Sequence, residues 1–194
     1  MKPSIVVIAS LSGPVADAIH ALQRRFDPRM AAELPPHVTL VGSSGLGPLP
    51  VRTDPDRLRA ALAPVAAATA SMRLRFDPPL RFMQSDVVVL PLDPHGPLRV
   101  LHEGLAAAIR DAGLAAARAR FTFTPHCTLS FYRQLPPDTL RELLAVRVKG
   151  EVGVERIHAY RAVNPMRTEE LFALALGGGA ARDAGEPAGA TEPS

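Results

Sequence analysis

The chain is short of three things. Among 194 residues it has one cysteine, Cys127, and two lysines, Lys2 and Lys149. It also has no apolar run long enough for a membrane-spanning helix. One thiol excludes an internal disulfide and a cysteine-based zinc site. A reducing compartment is compatible with that usage, and a cytoplasmic location is the expectation. With so little lysine, arginine carries almost all the positive charge. Lys and Arg number 22 against 19 Asp and Glu, a formal net charge of +3 with a pI of about 9.6. Arginine suits phosphate, but a chain rich in Ala, Arg, Gly and Pro also reflects base composition. Charge is therefore only weak support for an anionic ligand. The 47% hydrophobic and 21% charged content is ordinary for a globular chain, and the length is enough for one domain with a sizeable core.

What the chain does have is one short stretch written twice. Residues 36–40 read Pro-His-Val-Thr-Leu and residues 125–129 read Pro-His-Cys-Thr-Leu. Both lie in strand-like runs. A strand repeats every two residues, so His37 and Thr39 share a face, as do His126 and Thr128. The second run alternates most clearly: Thr122, Thr124, His126, Thr128, Ser130 and Tyr132 form a polar face. Phe121, Phe123, Pro125, Cys127, Leu129 and Phe131 form an apolar one. A ladder donor is missing at Pro125, so an edge, a bulge or a break is expected there. Thr is 9 of 194 residues, so about one His in twenty has Thr two places on by chance. The shared Pro before and Leu after make coincidence a poor account of two hits.

The surrounding elements alternate between the two structural periods. Residues 5–9 read as a buried strand. A helix follows, with Ser12 as cap, Pro14 in its first turn and Val15, Ile19, Leu22 and Phe26 as its apolar stripe, until Asp27-Pro28 stops it. This beginning loosely mimics a signal peptide, but the helix start at Ser12-Gly13-Pro14 favours a first strand and helix. The Gly/Pro/Ser stretch 43–53 fits no phosphate-loop fingerprint and reads as a surface loop. Asp54-Pro55 opens a second helix, in which Pro64 is expected to kink the axis or mark the last turn. Met72, Leu74 and Phe76 alternate as a half-exposed strand, and 86–92 holds a buried one. Leu98, Leu101, Leu105 and Ile109 stripe a helix ending at Gly113. A short helix begins at Pro136-Pro137-Asp138, and strands near 151–162 and 169–176 close the fold. Residues 177–194 have no periodicity and are expected to be a disordered tail outside a single domain, 1–176.

The two halves repeat at low resolution, with the motif histidines 89 residues apart, an offset close to that between Ile5 and Val87. The fold class expected is α+β: two pseudo-symmetric lobes of antiparallel-rich sheet with outer helices and a central cleft. One His-Thr strand from each lobe would then line the cleft.

Two His-x-Thr motifs, one per half at this separation, resemble the two-histidine (2H) phosphoesterase superfamily, nearest its bacterial 2′-5′ RNA ligase and RNA 2′,3′-cyclic phosphodiesterase group. The resemblance covers about residues 1–176, and its specific part is the two motifs. It implies a bilobal α+β fold, no metal or other cofactor, His37 and His126 as an acid–base pair, and Thr39 and Thr128 on phosphate oxygens. Many members carry an arginine five residues beyond a motif His. Gly42 and Phe131 stand there in this chain, leaving Tyr132 and Arg133 as the possible substrate contacts.

The chemistry agrees with the resemblance. Opening a cyclic phosphodiester takes a proton from water and gives one to the leaving oxygen, and imidazole does either near neutral pH. Hydroxyls donating to the non-bridging oxygens hold the charge of the transition state. The expected partner is an RNA end or a small cyclic-phosphate nucleotide, met by a monomer away from any membrane. A 2′-5′ oligonucleotide or another small cyclic phosphate is an open alternative. So is a non-catalytic RNA- or nucleotide-binding module; a metal-binding or structural protein has little support. Cys127 falls on the apolar side and reads as a core thiol. His20, His95, His102 and His158 have no partner at metal-ligand spacing. Arg73, Arg75 and Arg81 read more readily as a solvated strand face than as an RNA-binding flank.

Overall fold

The computed structural model describes residues 3–82, 87–131, 135–164 and 167–177. Of the expected tail, only Gly177 lies within them. The elements run β1 (Ser4–Ser12), α1 (Pro14–Phe26), α2 (Pro28–Glu33), β2 (His37–Val41), β3 (Leu49–Pro50), α3 (Pro55–Ala68), β4 (Met72–Leu74), β5 (Leu80–Arg81), β6 (Val88–Pro91), α4 (Pro97–Asp111), β7 (His126–Ser130), α5 (Pro137–Ala145), β8 (Val152–Asn164) and β9 (Arg167–Ala175). All strand pairs are antiparallel. They form two sheets, one ordered β2-β1-β8-β4 with β3 on β1 and β9 on β8, the other ordered β5-β6-β7. This is the expected α+β class. The sheets are unequal because the last two strands of the chain join the first sheet rather than the second.

The internal repeat is clearest in the strand registers. In the first sheet Ser10 faces His37, Ile8 faces Thr39 and Val7 faces Val41, with a bulge between Val7 and Ile8. In the second, Pro91 faces His126, Val89 faces Thr128 and Val88 faces Ser130, with a bulge between Val88 and Val89. Every motif-strand residue is displaced by 89 positions and every partner by 81. The residues before the motifs match too: Leu11 N donates to the Pro36 carbonyl at 3.0 Å, and Leu92 N to the Pro125 carbonyl at 3.0 Å. Each proline thus accepts at the mouth of its strand, where a missing N–H costs no ladder bond.

One face of β1 and β2 belongs to the core. Ile5, Val7, Ala9, Val38 and Leu40 are buried there with Ile19 of α1, Leu58 and Leu62 of α3, and Leu98, Leu101, Leu105 and Ile109 of α4. Side chains of this kind, fully buried, stabilise by roughly 1.5–3 kcal/mol each. His37, Thr39, His126 and Thr128 alternate away from these residues.

The helices cross between the halves. Gln23 of α1 donates through Nε2 to the carbonyl of Thr128 in β7, at 2.7 Å. His102 of α4 donates through Nδ1 to the carbonyl of Leu40 in β2, also at 2.7 Å. Both side chains are buried. β2 and β7 are edge strands, so part of each backbone lacks a ladder partner. Each brace satisfies one of those groups from the helix of the other half.

Several expectations need correcting. The cap of α1 is Gly13, with no side-chain hydrogen bond; Ser12 is still in β1, paired with Gly153. Asp27 ends α1 as expected, yet its Oδ1 accepts from Met30 N and starts α2, which the sequence reading missed. α3 runs on to Ala68 past Pro64. The second motif strand is short: only 126–130 is strand, and Phe121 and Phe131 are exposed rather than apolar-side core. Ser130 is fully buried, because the bulge before it ends the simple alternation. At Gly113 the expectation holds: φ is +65° and its N–H returns to the Arg110 carbonyl at 2.9 Å.

Candidate active site

β2 and β7 lie in different sheets, and their neighbouring edges pack together. The Cys127 thiol lies against the backbone of His37. The four motif side chains named from the sequence therefore share one neighbourhood, although their strands are not ladder partners. The burial pattern is the same along both strands: His and Thr are half-buried, and the residues between and after them are buried.

Each imidazole is fixed in the same way. His37 Nδ1 bonds the Pro35 carbonyl at 2.8 Å, and His126 Nδ1 bonds the Thr124 carbonyl at 2.7 Å. A carbonyl only accepts, so both Nδ1 atoms carry the proton and both neutral rings present Nε2 as a base. Neither Nε2, nor the hydroxyl of Thr39 or Thr128, is bonded to another described residue. The Phe82 ring meets His126 edge-on, with centroids 5.1 Å apart at 87°. Burial is the largest influence on both rings and pushes both pKa values down. The carbonyl bonds oppose that shift, and the charge of His126 pushes His37 down further.

Burial raises the Cys127 thiol to about 12, so it is inert at neutral pH and belongs to the core, as its alternation indicated. Among the described residues no three His, Cys, Asp or Glu side chains gather as a metal site would require. No described helix is long and apolar enough to cross a membrane. Tyr132 and Arg133 lie outside the described residues.

The departure at Gly42 has a steric reason. Its φ is +139°, and a Cβ there would stand 2.7 Å from Val6 Cγ1. No arginine fits that backbone without a shift.

Some neighbours went unnoticed in the sequence. Ser10 faces His37 across the β1–β2 ladder, and its Oγ is 3.2 Å from His158 Nε2. His158 Nδ1 lies 3.2 Å from Glu170 Oε2, which also accepts from the Tyr160 hydroxyl at 2.9 Å. No spacing rule joins Ser10 to residues about 150 positions away; only the β1–β8 register does.

Two antiparallel sheets presenting matched His-Thr edge strands define a class of two-histidine folds, and comparison with known proteins agrees. The model of the 2′-5′ RNA ligase superfamily matches residues 11–164, and the chain belongs to that superfamily. No curated protein matches the sequence. Among solved structures, TT0787 of Thermus thermophilus is similar at 22% identity and a TM-score of 0.63, over 91% of this chain and 99% of that one. E. coli LigT in complex with 3′-AMP is similar at 20% identity and a TM-score of 0.58, over 90% of this chain and 99% of that one. A structure described as a phosphoesterase gives 19% identity and a TM-score of 0.60, over 91% and 99%. At these identities the likeness is one of fold.

Proposed function

We propose that this chain is a metal-independent phosphodiesterase that opens 2′,3′-cyclic phosphates of RNA ends or nucleotides by two-histidine acid–base catalysis. The observation that carries the reading is the matched pair of imidazoles, each held through Nδ1, with neither Nε2 nor the neighbouring Thr hydroxyl bonded among the described residues. One Nε2 takes a proton from water as it attacks phosphorus. The other, protonated, gives its proton to the departing ribose oxygen. Thr39 and Thr128 donate to the non-bridging oxygens as negative charge concentrates there. With a ribose 5′-hydroxyl attacking phosphorus in place of water and the 3′-oxygen leaving with the acid's proton, the same pair gives 2′-5′ ligation. Solved complexes of E. coli LigT hold 3′-AMP, NADP+, ATP and phosphate, which supports a nucleotide ligand for this fold.

Tyr132 and Arg133, just beyond β7, are proposed substrate contacts. The working unit is taken as a cytoplasmic monomer whose domain spans 1–176. The test is turnover of 2′,3′-cyclic nucleotides with the product identified as the 2′- or 3′-phosphate. Activity should survive EDTA and fall by several orders of magnitude in His37→Ala and in His126→Ala. Loss in EDTA restored by a divalent ion would overturn metal independence, and tight nucleotide binding without turnover would make the chain a binding module.

A further inference from the structure

The network beside His37 lies on the same sheet face as the motif. Residues paired directly across an antiparallel ladder point to the same side. Thr39 faces Ile8, and Ile8 faces His158. Tyr160 faces Glu170 on the next pair of strands. His158 thus stands on the rung of Thr39, two strands away, a separation of about 10 Å. That is the reach from the phosphate of a nucleotide to its base.

The hydrogen bonding there has a direction. His158 Nδ1 and the Tyr160 hydroxyl both bond Glu170 Oε2, at 3.2 and 2.9 Å. Burial and Glu170 together push the Tyr160 phenol up to about 12, so it remains a donor. His158 is itself held from the other side by Ser10 Oγ, at 3.2 Å. Two oriented donors therefore fix one carboxylate oxygen. Oε1 has no partner among the described residues, and the Glu170 side chain is 46% exposed. A fixed, accessible acceptor calls for a donor on the ligand. A carboxylate repels a phosphodiester, so the ligand's part at this point is its uncharged one.

We propose that Glu170, oriented by His158 and Tyr160, reads the amino edge of a nucleobase whose phosphate lies at Thr39 and Thr128. Cytosine presents N4–H₂ to such an acceptor, whereas uracil presents O4 at the same place. The specificity therefore favours amino-bearing bases over uracil. This inference rests on the reading of the two His-Thr strands as a phosphate site.

Two measurements separate the inference from that reading. The first is kcat/KM for 2′,3′-cyclic CMP against 2′,3′-cyclic UMP; the second is calorimetric binding of 3′-CMP against 3′-UMP. The wild type should prefer the cytidine compound by about tenfold or more in both. Glu170→Gln keeps an oxygen for His158 and Tyr160 and turns an amide N–H₂ toward the base. The preference should then fall below about threefold or reverse. Equal handling of the two bases by the wild type would overturn the proposal while leaving the phosphodiesterase reading intact. A binding preference that disappears in Glu170→Gln, without turnover of either compound, would uphold the subsite and overturn the reaction. A preference unchanged in Glu170→Gln would also overturn the proposal.

Discussion

Replacing His102 by Leu tests how β2 is held. His102 is 5% exposed, and its Nδ1–H meets the Leu40 carbonyl at 2.7 Å. Its ring stacks on Phe123 with centroids 4.0 Å apart at 2°. Leucine keeps an apolar filling but strands a buried carbonyl, at a cost of about 1–3 kcal/mol. For a chain of this size, 2 kcal/mol corresponds to a drop of about 4–8 °C in Tm. It also corresponds to about 1 M in urea midpoint for a typical slope, with the slope itself unchanged. His102→Gln retains a donor of useful reach, as Gln23 does on the other side, and should recover more than half of the loss. The pH dependence adds a second signature. Burial holds the His102 pKa below its ordinary 6.5, so the unfolded chain binds the proton first. Wild-type stability from this group is complete above pH 6.5 and is lost as pH falls through the folded-state value. His102→Leu lacks that loss, so the gap between the two proteins should narrow as pH falls below 6.5. An unchanged urea midpoint in His102→Leu, or His102→Gln faring no better than it, would refute the brace.

Other outcomes follow from the same geometry. His37, His102 and His126 all have depressed pKa values, so the wild type should be less stable at pH 5 than at pH 7.5 by urea titration. The pH profile of kcat/KM should be bell-shaped with its optimum on the acid side of the ordinary histidine value, and the kcat profile should lie higher, because bound phosphate favours both imidazolium forms. Gly45→Ala should destabilise the fold, because φ is +71° and a Cβ would stand 2.2 Å from His102 Nε2; thermal melting reads this directly. Leu62→Ala, at a fully buried position of α3, should cost about 2–5 kcal/mol in denaturant titration.

Where the chemistry is local, the sequence was legible. The motif picked out four side chains that the structure gathers in one neighbourhood, because strand alternation needs only neighbouring residues. Gly113 and Asp27 read as helix ends for the same reason. The failures lie where a partner is distant. Alternation from 121 to 132 suggested one long amphipathic strand, but the ladder opposite it has only four residues, Val88–Pro91, and a bulge turns Ser130 inward. Ser12 looked like a cap because its pairing with Gly153 is invisible locally. His102 and His158 read as bland histidines, since each acquires its partner only when a helix or strand from the far part of the chain arrives.

The crossing of the helices bears on how the chain could be divided. The 89-residue repeat suggests two halves able to stand alone. Yet α1 bonds the motif strand of the second half, α4 bonds that of the first, and β8 zips along β1. A fragment ending at residue 82 would keep a His-Thr strand with an unbraced Leu40 carbonyl and an unpaired β1 edge. Its complement would carry Thr128 without Gln23. Neither fragment should fold by itself, while the two expressed together should reassemble. What looks in the sequence like a tandem repeat is, in its connectivity, two interlocked halves.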